Sequence, residues 1–65
     1  MGNTQYSIQY YNASGSLTYH HIWANSEAQA IVEFNNWIRE QKRYTAQGAI
    51  APSPRWGEIY RVETH

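Results

Sequence analysis

The chain contains no cysteine and no aspartate, a single lysine (Lys42), a single leucine (Leu17) and two prolines among its 65 residues. Each shortage excludes something. Without cysteine, no disulfide can staple the fold and no thiolate can act as nucleophile or metal ligand. Five basic residues face five glutamates, so the net charge is zero. That balance is unlike a domain that grips nucleic acid mainly through its phosphates, which is usually strongly basic, and equally unlike an acidic mimic of DNA. Charged residues make up only 15% of the chain, well below the usual value of about 25%. No segment approaches the roughly 18 consecutive apolar residues of a membrane span. Met1 to Tyr11 lacks a basic region followed by an apolar run, so no signal peptide is expected. With the missing cysteine, this reads as a cytoplasmic protein that does not insert in membranes.

What is present is aromatic. Six tyrosines, three tryptophans and one phenylalanine make up 15% of the chain, while polarity comes largely from Asn, Gln, Ser and Thr. The length allows one domain spanning residues 1–65. A domain of this size buries only about 60% of its unfolded surface. Ten aromatics exceed what so small a core needs, so some should lie on the surface, where Tyr and Trp favour interfaces.

Two segments read as strands. Thr4 to Tyr11 alternates, with Tyr6, Ile8 and Tyr10 on one side and Gln5, Ser7 and Gln9 on the other. Leu17 to Ala24 is rich in β-branched and aromatic residues. Between them, Asn12-Ala13-Ser14-Gly15 is a turn: Asn suits the first position of a type I turn, and Gly15 can take the left-handed conformation that follows. The register decides which aromatics are buried. A three-residue loop, Ala13 to Gly15, places Tyr6, Ile8 and Tyr10 with Thr18, His20 and Ile22, and leaves Tyr11, Leu17, Tyr19, His21 and Trp23 on the other face. A two-residue loop, Ser14-Gly15, shifts the pairing by one and buries Tyr19, His21 and Trp23 instead. Asn12 and Gly15 favour the three-residue loop.

A helix is expected from Ser26 to Arg43, ending near Tyr44. Ser26-Glu27-Ala28-Gln29 is a capping-box pattern. Glu27 suits the positive end of the helix dipole, and Lys42 with Arg43 the other. At about 100° per residue, Ala30, Ile31, Phe34, Trp37, Ile38 and Gln41 share one face, while Glu33, Asn36, Glu40 and Arg43 face water. Gln47 to Pro54 reads as a loop, with the option of a short edge strand at Gly48 to Ala51, and Pro52-Ser53-Pro54 as an extended turn. Glu58 to Glu63 alternates again and reads as the last strand. The fold class is therefore α+β: a two-layer β-β-α-β domain whose small antiparallel sheet is covered on one face by a single helix. One helix leaves the other face wet or covered by a partner.

Chemistry is sparse. His20 and His21 are adjacent on a strand, point to opposite faces and cannot chelate one metal together. No known metal-ligand spacing is present. Ser14, Ser16, Ser26 and Ser53 have turn or capping roles, and no nucleophile elbow or phosphate loop occurs. Glu58 and Glu63 are five residues apart and fall on opposite faces of a regular strand. A thin domain also lacks the volume for an enclosed pocket of about 300–1,000 Å³. No catalytic residue, metal site or cofactor is assigned. Asn12-Ala13-Ser14 fits a glycosylation acceptor and Ser53-Pro54-Arg55 a phosphorylation site, but turn roles account for both.

Two surface constellations remain. The first is Tyr11, Leu17, Tyr19, His21 and Trp23, an aromatic face suited to anchoring a protein partner, either a second copy in a homodimer or a heterologous protein. The second is Arg39, Lys42 and Arg43, with Arg55 and Arg61 as neighbours, as phosphate contacts; the competing reading is a solvated helix end. The leading functional expectation is a non-catalytic protein-binding module, namely an adaptor, assembly factor or inhibitor of a larger protein, of the kind mobile elements often encode. A single-stranded nucleic-acid binder stacking bases on sheet aromatics comes second, and a small metal-dependent or enzymatic module last.

Overall fold

The computed structural model describes residues 3–48 and 52–65. The alternating segments form strands β1 (Thr4–Tyr11) and β2 (Leu17–Ala24), followed by helix α1 (Glu27–Gln47) and strand β3 (Ile59–Thr64). The sheet is antiparallel with order β2-β1-β3, so the first strand is central and the other two are edges. The result is the small two-layer α+β domain expected from the pattern.

The hairpin adopts the three-residue loop. Asn12 N–H donates to Ser16 C=O at 2.9 Å, Gly15 N–H donates to Asn12 C=O at 2.9 Å, and Gly15 has φ +88°. Asn12 Oδ1 locks the turn by accepting from Ser14 N–H, Ser14 Oγ and Ser16 N–H at 3.1, 2.8 and 2.9 Å. This pairs Tyr6 with Ile22, Ile8 with His20 and Tyr10 with Thr18. One face of the sheet thus collects Tyr6, Ile8, Tyr10, Ile22 and Ala24, which are buried against Ala30, Phe34 and Ile38 of α1. Tyr10 meets the Phe34 ring edge-on at 4.9 Å and Trp37 at 5.8 Å. Burial pushes the Tyr10 phenol pKa upward.

The helix begins at the anticipated cap, with Gln29 N–H donating to Ser26 Oγ at 3.2 Å. The reciprocal bond reaches one residue further back than a capping box: Asn25 N–H donates to Gln29 Oε1 at 2.8 Å. The helix does not stop near Tyr44. It continues to Gln47, so Lys42 and Arg43 lie inside it and no basic side chain occupies its last turn. The dipole role expected of those two residues is therefore withdrawn. Most of the short strand expected at residues 48–51 lies outside the described residues; Gly48 itself closes the helix, its N–H donating to Thr45 C=O at 2.9 Å.

The return to the sheet is made by a turn over residues 54–57 that carries Trp56 into the core at 7% exposure. Ser53 N–H donates to Ala13 C=O and Gly57 N–H to Tyr11 C=O, at 3.0 and 2.9 Å, which ties this turn to the hairpin. Strand β3 then pairs with β1, setting Ile8 opposite Val62 and Ser7 opposite Glu63. Tyr60 is an extra residue in this ladder, between the pairs Tyr10–Ile59 and Gln9–Arg61, and makes a β-bulge.

Candidate functional site

Among the described residues, nothing forms a covering layer over one side of the sheet. Alternation along β1 and β2 sends Gln5, Ser7, Gln9 and Tyr11, and Leu17, Tyr19, His21 and Trp23, away from the helix. The five expected interface residues therefore share one face. Leu17, Tyr19 and Trp23 are 44%, 54% and 58% exposed, His21 is exposed, and Tyr11 is half-buried.

β3 extends this face in a way the alternation did not anticipate. Because of the bulge, Tyr60 comes edge-on to Tyr11 with ring centroids 6.5 Å apart, and it is 60% exposed. The Arg55 guanidinium lies 3.9 Å from the centre of the Tyr11 ring. Its Nε also donates to Glu58 Oε2 at 3.0 Å, with Nη2 3.5 Å from Oε1. That hydrogen bond holds the Glu58 carboxyl below the ordinary carboxylate range and raises the Arg55 pKa. Arg61 Nε forms an ion pair with Glu63 Oε1 at 3.1 Å. Both arginines beside the aromatic face are thus paired with a glutamate, and the face is close to neutral.

Its centre holds a polar cluster that the sequence reading missed. Ser7 is 2% exposed although it points to the open side. Its Oγ lies 2.9 Å from His21 Nδ1 and also hydrogen-bonds His65 Nε2. The two imidazole rings, 5.7 Å apart, roof the hydroxyl. A serine hydroxyl has one proton and two lone pairs, so it donates to one ring nitrogen and accepts from the N–H of the other. The signal was available: once Asn12 is paired with Ser16, Ser7 must stand opposite His21. The contact pairs a serine with a base, but Glu63, the acid across from Ser7, is engaged by Arg61. The hydroxyl is also covered by the rings. Among the described residues no group of three His, Cys, Asp or Glu is placed to hold a metal ion.

His20 faces the other way. It stacks on Trp37 at 4.0 Å with 19° between the planes, and burial, aided by the charge of His21, lowers its pKa from the ordinary 6.5.

The second expected constellation sits together on α1, at helical spacing i, i+3 and i+4, but its two expected neighbours do not join it. Arg39, Lys42 and Arg43 are exposed on α1, on the helix side of the sheet, whereas Arg55 and Arg61 belong to the open side. Lys42 is drawn toward Trp56, its Nζ 5.7 Å from the ring centre. The described residues also form an open cleft of about 430 Å³ lined by Asn12, Ala13, Ser14 and Thr45, between the hairpin turn and the helix end. Its volume falls in the range of small-molecule sites. It is not enclosed, however, and those four residues bring no ionisable side chain.

No protein-family model, curated protein or solved structure matches this chain. No helix among the described residues is long and apolar enough to cross a membrane.

Proposed function

We propose that this domain is a non-catalytic protein-binding module that docks a larger protein, as adaptor, assembly factor or inhibitor, through the open sheet face. The observation that carries this reading is the exposed set Leu17, Tyr19, Trp23 and Tyr60, with Tyr11 beside it, standing over a sheet whose opposite face already holds the core. Large rings on a rigid sheet lose little entropy on docking and are the side chains that dominate binding hot spots. The paired arginines direct the choice of partner: an apolar, uncharged-polar surface fits a face whose charges are internally compensated. Cytoplasmic residence is part of this proposal, because a cysteine-free composition suits a reducing compartment.

Nucleic-acid binding is the weaker alternative. It needs free cations beside the stacking rings, and the two arginines beside the rings are neutralised by Glu58 and Glu63.

The test is site-specific photo-crosslinking in the native host. A photoreactive residue replacing Tyr19 or Tyr60 should give one discrete adduct, and the same residue replacing Glu33 on the outer side of α1 should not. The double variant Trp23→Ser, Tyr60→Ser should lose that adduct while keeping its circular dichroism. Equal adducts from both sides of the molecule, or retention by the double variant, would overturn the proposal.

A further inference from the structure

The two edges of the sheet are built differently. β3 has six residues, is broken by the bulge at Tyr60 and carries Arg61 and Glu63. Short length, bulges and charges are the usual devices that keep an edge from pairing with another chain. β2 has none of them. It runs for eight residues in unbroken register with β1, and it contains no proline, lysine, arginine or acid. Among the described residues, no backbone bond from a loop reaches Leu17–Ala24.

The hydrogen-bond parity shows what this edge offers. The bond from Asn12 N–H to Ser16 C=O makes 12 and 16 a bonded pair. Stepping by two, Thr18, His20, Ile22 and Ala24 turn their main-chain groups toward β1. The N–H and C=O groups of Leu17, Tyr19, His21 and Trp23 therefore point outward. The main-chain groups of β1 that turn the other way confirm the parity: Tyr11 and Gln5 bond to the β3 side.

We propose that β2 pairs edge to edge with β2 of a second copy of this chain, antiparallel about a two-fold axis at His20. Leu17 then stands opposite Trp23 of the second copy, and Tyr19 opposite its His21. In this register every outward N–H and C=O of the four residues finds a partner; a shift of two residues either way leaves some of them unpaired. A second copy fits for a reason of charge. No Lys, Arg or Glu lies in the strand to face its own image, and the net charge of zero sets up no repulsion between copies. On the open face the cross-strand pairs are apolar against aromatic and aromatic against imidazole, combinations that stabilise sheets; on the helix side Thr18 meets Ile22 of the second copy, and at the axis His20 meets its own image. The joined sheet has six strands, and its two open faces become continuous. The pairing uses the strand edge and does not rest on what docks on the face.

The absence of native cysteine makes the test direct. In this register, residues 17 and 23 of different copies are neighbours, whereas residue 23 lies about 20 Å from residue 23 of the other copy. Under mild oxidation, mixed Leu17→Cys and Trp23→Cys chains should give a disulfide species of twice 7.6 kDa, and each variant alone should not. Light scattering of the unmodified chain should report the same doubled mass. Tyr19→Pro removes an outward N–H and no bond to β1, so it should halve the mass while circular dichroism is retained. Tyr19→Ala keeps the edge and should remain a dimer even where it weakens docking on the face. A monomer by light scattering, or cross-linking of each single variant as fast as of the mixture, would overturn the inference.

Discussion

A methyl group added at Gly57 should be among the most damaging small changes in this chain. A Cβ there would lie 2.8 Å from Ile38 Cγ2, 3.3 Å from Lys42 Nζ and 3.4 Å from Lys42 Cε. The lysine end can swing away. Ile38 cannot, because it is 5% exposed and packed in the core. The backbone adds its own cost: φ is +86°, and a residue with a Cβ loses roughly 1–2 kcal/mol in the left-handed region. Overpacking a core contact costs about 1–3 kcal/mol more. The expected loss for Gly57→Ala is therefore about 2–5 kcal/mol. At the usual 0.05–0.15 kcal/mol per residue, a chain of this length has about 3–10 kcal/mol in total. A loss of 1 kcal/mol lowers Tm by roughly 4–8 °C at this size, so a fall of at least about 8 °C is expected. Gly15→Ala is the internal control. Its φ of +88° carries the same backbone cost, but the nearest side-chain atom is Ser53 Oγ at 3.5 Å, an ordinary contact. Thermal and urea denaturation of both variants, followed by circular dichroism, separates the backbone cost from the clash. A Gly57→Ala Tm within about 2 °C of the unmodified chain, or no lower than that of Gly15→Ala, would refute the steric argument.

The pKa of His20 is lowered in the fold, so the unfolded chain binds more protons in the window just below pH 6.5. Stability is full above that window and falls as the pH drops through it; thermal melts at about pH 7.5 and 5 should show the loss, and His20→Phe, which keeps a ring against Trp37, should abolish it. Asn12→Ala removes an oxygen that accepts three hydrogen bonds in the hairpin turn and should cost about 1–2 kcal/mol by urea titration; an unchanged midpoint would remove the turn's claim to set the register. A labelled single-stranded oligonucleotide should show no salt-dependent anisotropy change at micromolar protein, and a clear one that weakens with salt would favour the stacking alternative.

The hairpin was legible because its information is local. Asn12 and Gly15 meet two demands of one turn type, and the strand period then places every side chain of β1 and β2 on its face. The start of the helix was legible for the same reason, since Ser26 and Gln29 cap it within four residues. Its end was not. Tyr44 and Thr45 carry no stop signal, and the basic pair at Lys42 and Arg43 imitates a last turn that comes one turn later. Trp56 was hidden because a turn has no period to reveal its inward direction; its burial follows from bonds to Ala13 and Tyr11, distant in sequence. The bulge at Tyr60 escaped for a related reason. It moves a tyrosine beside Tyr11 without marking the strand itself. Ser7 was a different omission: its two histidine partners lie 14 and 58 residues away, but the first follows from the register already deduced.

The scarcity of charge acquires a consequence once the strand order is known. Exposed edges are ordinarily guarded by lysine, and this chain has one, placed on the helix against Trp56. Two of its four arginines are held by Glu58 and Glu63 beside the open face. The other two, Arg39 and Arg43, lie on the helix. None of these cations is on β2. A strand with outward main-chain groups and no guarding charge is an association hazard in a monomer and an asset in an assembly. The same eight residues carry three large exposed side chains at Leu17, Tyr19 and Trp23, which a monomer would leave in water. The edge and the face thus make the same demand from different groups, one through the backbone and the other through the rings. Substitutions that separate the two, Tyr19→Pro against Tyr19→Ala, will show which demand the protein answers first.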